Sequence, residues 1–138
     1  METKHTFKNF KDYAKVAGKQ AWKHFSPNYS KIAKGVNVYI VNGDFVRSNI
    51  NVDFVEGGHG YVYDYVPKDE IWVEEMEDRK EMWFNFQHEV YERSLMKADP
   101  KMDYNDAHDK AVERETAQRH KLDPAYTGQL KTNVGSNI

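Results

Sequence analysis

The chain has 138 residues, enough for one domain with one core and too few for two of ordinary size. A hydrophobic fraction of 39% with 14% aromatic residues argues against a disordered chain. Cysteine is absent, which excludes disulfides and cysteine-ligated zinc ribbons, so any metal must be held by histidine and carboxylate. The net charge of -2 hides an asymmetry: residues 1–34 carry eight lysines against Glu2 and Asp12, and the remainder is acidic.

The first expected element is an amphipathic helix from Thr6 to Phe25, ending before Ser26-Pro27. Lys4, Lys8, Lys11, Lys15, Lys19 and Lys23 recur at three- and four-residue steps on one face. Phe7, Phe10, Ala14, Ala17, Ala21 and Phe25 recur on the other. The lysine face reads in two ways, as the solvated side of a core helix or as a surface for nucleic acid or another polyanion. Arginine is absent from this stretch, which weakens a base-specific reading.

From Gly35 the period changes to two. Val36, Val38 and Ile40 alternate with Asn37 and Tyr39, and Asn42-Gly43 follows. That dipeptide predicts a type I′ hairpin, with a return strand from Asp44 to Arg47 continued by Ile50 to Val55. Gly57-Gly58-His59-Gly60 reads as a flexible break, with His59 a solvent-exposed loop residue or an electrophile reaching the cleft. Tyr61 to Val66 predicts a strand with Tyr61, Tyr63 and Tyr65 on one face. Glu70 to Val73 predicts a short final strand. The expected sheet is small, of three to five strands, and mostly antiparallel.

Two helices close the expected domain. The first runs from Glu77 to Lys97, with His88 and Glu92 one turn apart in its apolar stripe. The second runs from Tyr104 to His120, with Asp103 as N-cap and Ala107, His108, Ala111 and Glu115 on its inner face. A short loop containing Pro100 predicts an antiparallel pair. Glu92 lies eight residues before Pro100 and His108 eight after it, so both stand at one level, ~12 Å from the turn at ~1.5 Å per residue. His88, Glu92, His108 and Glu115 therefore converge.

Burying such groups costs several kcal/mol unless they are paired or bind a metal. Two imidazoles and one carboxylate form a usual catalytic zinc set with a position left for water. His88, Glu92 and His108 are thus the candidate ligands of Zn2+, and iron or manganese would accept the same donors. Glu89 directly follows the first ligand, as the general base does in H-E-x-x-H enzymes, although Glu92 stands where the second histidine would be. Glu115 is a candidate hydrogen-bond acceptor orienting a ligating histidine, or a fourth ligand. Tyr91 and Tyr104 are candidate donors to an oxyanion.

The residues His88-Glu89-x-x-Glu92-x-x-Leu95-Met96, followed by Tyr104-x-x-Ala107-His108-x-x-Ala111, carry a resemblance. They are similar to a group of small phage and prokaryotic proteins with H-E-x-x-E-x-x-L-M and then Y-x-x-A-H-x-x-A, and the element order resembles a compact zincin. The resemblance covers about residues 70–119. It implies a metal site at His88, Glu92 and His108, with Glu89 as catalytic residue.

The expected whole is one α+β, zincin-like domain over residues 1–121, with an extended tail over 122–138 rich in Thr, Gly, Asn and Ser. The expected function is a zinc-dependent hydrolase of peptide or amide bonds acting on a peptide or protein. The alternatives are a non-catalytic interaction protein stapled by its metal, and a polyanion-associated protein. No apolar run approaches the ~20 residues that span a bilayer. No signal-peptide core follows Met1, so a cytoplasmic location is expected, that of the host if the chain is phage-encoded.

Overall fold

The computed structural model describes residues 10–17 and 33–125. In chain order these form α1 (Phe10–Ala17), β1 (Asn37–Val41), α2 (Gly43–Asn49), β2 (Gly57–His59), β3 (Glu70–Glu74), α3 (Arg79–Ala98) and α4 (Tyr104–Leu122). The described residues are thus α+β, with four helices around a three-stranded mixed sheet of order β1-β3-β2. None of these helices is long and apolar enough to cross a membrane.

β3 is the central strand and is buried along most of its length. Its side chains alternate between two cores, as the period of a strand requires. Trp72 enters one core with Phe10, Tyr13, Val46, Ile50 and Phe54. Ile71 and Val73 enter the other with Val38, Met82 and Phe86, beneath α3. The first core is largely aromatic: the Tyr13 ring lies 4.8 Å from Trp72, and Phe10 stacks on Tyr39 at 3.9 Å.

The sheet differs from its expected form in four places, each for a physical reason. Asn42-Gly43 begins a helix rather than a hairpin, and the Asn42 side chain accepts the Phe45 N–H as an N-cap. Asp44 to Arg47 is therefore helical, because Val46 and Ile50, four apart, both enter the aromatic core. Residues 50–55 form no ladder with β1. β1 instead pairs in parallel with β3, Asn37 opposite Glu70 and Val41 opposite Glu74, and the sheet is mixed rather than mostly antiparallel.

Tyr61 to Val66 is a run of turns, not a strand. The N–H groups of Val62 and Tyr63 both donate to the His59 carbonyl, and Val66 N–H donates to Tyr63. Gly57–His59, read as a flexible break, is the buried edge strand β2, antiparallel to β3 with Gly58 opposite Trp72. The glycines serve close approach: a Cβ on Gly58 would lie 2.4 Å from the Tyr63 ring, and one on Gly60 2.3 Å from the Pro67 carbonyl oxygen. Of the lysine-faced helix, only Phe10–Ala17 falls among the described residues, and it is helical. Thr6 to Asn9, Gly18 to Phe25 and residues 126–138 of the tail lie outside them.

Candidate functional site

Two N-caps set the register of the helical pair. The Asp78 carboxylate accepts the N–H groups of Lys80 and Glu81, and Asp103 accepts that of Asp106. Ala107 and Ala111 are fully buried and let the α4 backbone approach α3. Away from the loop, the pair is joined by Gln118 to Gln87 at 2.9 Å and by a two-pronged Arg119–Glu81 ion pair at 2.6 and 2.7 Å. Glu92 and His108 then meet across the seam, and so do His88 and Glu115.

Glu92 is the hub. It is 2% exposed and faces three imidazoles. Its Oε1 lies 2.8 Å from His59 Nε2. Its Oε2 lies 3.2 Å from His88 Nε2 and 3.0 Å from His108 Nδ1. The other His88 nitrogen, Nδ1, is 3.1 Å from Glu115 Oε1, and Glu115 Oε2 accepts from Arg119 at 2.8 Å. Tyr104 Oη is 3.3 Å from His108 Nδ1.

The electrostatics follow from this arrangement. Burial alone would raise the Glu92 carboxyl, but the hydrogen bonds from His108, His59 and His88 hold it well below the usual carboxylate range. Glu89 is shifted the opposite way. Burial raises it first, and the negative charge of Glu92 adds to that. It is 9% exposed, and among the described residues no donor reaches its carboxylate. Burial would lower His88, yet the bonds to Glu115 and Glu92 win and push it up to about 10. Glu115 is lowered overall: burial raises it, and His88 and Arg119 more than offset that.

Two groups of side chains place donor atoms within 4.8 Å of one another: His88, Glu92 and His108, and His59, Glu89 and Glu92. The first could hold a metal ion once His88 gives up the proton that Glu115 and Glu92 stabilise on it. The second fails on the tautomer of His59. Its Nδ1 accepts the Tyr61 N–H at 3.1 Å and so keeps its lone pair. The ring proton then sits on Nε2, pointing at Glu92, and leaves no lone pair there for an ion.

A cavity of about 500 Å³ opens beside this cluster, lined by Glu89, His88, His108, Tyr104, Tyr63 and Asn85 among others. The Tyr63 hydroxyl is pushed up to about 12 by burial, so it remains a hydrogen-bond donor at neutral pH.

The site residues read from the sequence thus fall into three sets. His88, Glu89, Glu92, His108, Glu115 and Tyr104 come together. Tyr91 is not among the cavity-lining residues, and the Arg114 guanidinium packs 4.6 Å from its ring centre. Lys11 and Lys15 are exposed on α1, while Lys8, Lys19 and Lys23 lie outside the described residues. His59, expected to be exposed, has no accessible surface and bonds directly to the hub, which corrects that reading. Tyr63 is a further cavity residue that the sequence did not single out as part of the site. Glycines on both sides of His59 were the available signal, because glycine in a strand marks close approach as often as flexibility.

Fold and site together define an α+β protein whose helical pair buries a histidine–glutamate cluster able to accept a metal ion. No protein-family model, no curated protein and no solved structure matches the chain.

Proposed function

We propose that the protein is a metal-dependent hydrolase of the peptidase or amidase type, with one divalent cation, zinc being the ion we assign, held by His88, Glu92 and His108. The observation that carries this reading is the convergence of His88 Nε2 and His108 Nδ1 on a single Glu92 oxygen, at 3.2 and 3.0 Å. That is two imidazoles and one carboxylate, a donor set suited to zinc with a position left open. A bound ion would supply Lewis acidity and make water nucleophilic near neutral pH.

The chain's own residues take the remaining tasks. Glu89 lines the cavity with no donor among the described residues, which places it to accept a proton from the attacking water once the charge of a bound cation favours its ionised form. Tyr104 offers a hydroxyl proton from the cavity wall to a developing oxyanion, whereas the Tyr63 hydroxyl donates to the Asp53 carbonyl. Glu115 fixes the His88 ring through Nδ1, so that Nε2 faces Glu92. Burial of the Glu89–Glu92 pair keeps bulk water from screening these charges.

A purely structural metal is less well supported, because Arg119–Glu81 and Gln118–Gln87 already join the two helices. The deciding experiment is Glu89→Gln, read by metal content and by hydrolysis of a casein-derived peptide library. The expected result is one equivalent of metal retained, with hydrolysis reduced at least ~100-fold, at the low end of a general base's contribution. Undiminished cleavage in the variant would remove Glu89 from the chemistry, and wild-type protein that binds no metal would remove the reading altogether.

A further inference from the structure

His59 lies on a different element from the ligand set and is the most deeply buried histidine of the cluster. β2 brings it there. The strand pairs with β3 and packs against α3, with His59 opposite Ile71, and its backbone runs so close to α3 that a Cβ on Gly57 would stand 3.1 Å from Glu89 Cγ. Gly57, Gly58 and Gly60 are therefore conditions for the position of His59, not sources of motion around it.

Both ring nitrogens of His59 are occupied. Nδ1 accepts the Tyr61 N–H at 3.1 Å, from the turn that immediately follows β2. Nε2 then bears the proton and donates it to Glu92 Oε1 at 2.8 Å. The backbone thus selects the tautomer, and the tautomer occupies one specific oxygen of Glu92. The other oxygen, Oε2, is the one that faces His88 and His108.

We infer that His59 is a positioning residue that holds Glu92 by Oε1, so that Glu92 presents Oε2 alone to the cation bound with His88 and His108. The inference rests on the proposed metal-binding reading and deepens it. It explains why a carboxylate can stand where the zincin pattern has a histidine. A free carboxylate can turn and grip an ion with both oxygens, whereas one pinned at Oε1 offers a single donor, as an imidazole does. The open position beside Glu89 is then preserved. An acceptor–histidine–ligand relay usually runs from carboxylate through imidazole to metal. Here the order is backbone N–H, imidazole, carboxylate.

The test uses full-length protein and two substitutions. His59→Leu removes the donor, and His59→Gln restores an N–H near the same place. Zn2+ affinity is measured by competition with a chromogenic chelator, with the fold monitored by circular dichroism. His59→Leu should weaken binding about 10- to 100-fold, the range expected for loss of a ligand's orienting partner, and His59→Gln should recover most of that loss. Nitrogen-15 spectra of wild-type protein should show the His59 proton on Nε2. Wild-type affinity in a folded His59→Leu variant would overturn the inference while leaving the metal site standing. A folded His59→Gln variant as weak as His59→Leu, or a His59 proton found on Nδ1, would overturn it as well. If His59→Leu does not fold, His59→Gln and the nitrogen-15 spectrum decide alone. Failure of wild-type protein to bind Zn2+ would instead strike the underlying reading.

Discussion

Two regions of this molecule bury carboxylates, and they do so differently. In the aromatic core, Glu70 is 4% exposed and each oxygen has one neutral donor, Trp72 Nε1–H at 2.9 Å and the Phe10 N–H at 3.1 Å. Burial still raises its proton affinity, with those two bonds opposing. Each donor belongs to a segment that the core has to place, α1 and β3. Glu70 ties the start of α1 to the sheet, and folding accounts for it fully. In the helical pair, Glu92 faces three imidazoles and Glu89, one turn away, has no donor among the described residues. Glu89 instead opens on the cavity, where its carboxyl is left for water or a ligand to meet rather than for the fold to satisfy. The polar groups of the hairpin exceed what holding two helices together requires, and that excess distinguishes a candidate site from a structural network.

The comparison breaks or holds on substitutions in each region. The largest effect is expected for Glu92→Ala. Three imidazoles lose their shared acceptor, among them the fully buried His59, so metal binding should disappear and unfolding free energy should fall by about 3 to 5 kcal/mol, as for a buried ion pair missing one partner. Metal content after dialysis and urea unfolding measure the two parts. Glu92→Gln, closer in shape, should lose the metal with a smaller loss of stability.

Glu70→Ala is the matched control. It strands the Trp72 and Phe10 N–H groups in the core, at a cost of roughly 2 to 4 kcal/mol for two unsatisfied donors. Its metal affinity should match wild type within the error of a chelator titration. If Glu70→Ala lost metal while remaining folded, the division into a structural and a functional carboxylate would be wrong.

The helical pair was more legible in the sequence than the sheet, and the reason is the range of the interactions. Asp103 as N-cap, the loop around Pro100 and the i, i+4 stripes are local signals, and they place Glu92 opposite His108 by counting residues. The sheet depends on partners far apart in the chain, Asn37 with Glu70 across a connection that holds α2 and β2. Asn42-Gly43 fits an N-cap as well as a turn, and only the burial of Val46 and Ile50 against Trp72 decides between them. His59 was misplaced for the same reason. Its strand contains two glycines and offers no alternation of side chains, so its ladder with β3 is a backbone matter invisible to pattern. The one signal, glycine on either side of a histidine, says that backbones approach but not which ones.

Glu115→Gln should disturb the metal site far less than Glu92→Ala and sharpens the comparison most finely. Glutamine keeps an oxygen for His88 Nδ1 but loses the charge that holds that ring protonated and pairs with Arg119. Arg119 retains its two-pronged partner Glu81, so the helical pair should stay folded, with a loss of stability of about 1 to 3 kcal/mol because the Glu115–Arg119 pair is largely buried. Metal affinity should fall about 10-fold, the lower end of the range for a partner that orients a ligand. The sign of the pH dependence follows from His88. Its proton affinity is raised toward about 10 in the metal-free protein, so at pH 7 an ion must displace a proton, and binding should tighten as pH rises toward that value. Weakening the Glu115 charge lowers the His88 proton affinity, so the variant should release fewer protons on binding at pH 7. Titration calorimetry in buffers of different ionisation enthalpy counts them directly. Equal proton release by both proteins would mean that Glu115 only packs against His88, and the two buried networks would then be more alike than their geometry indicates.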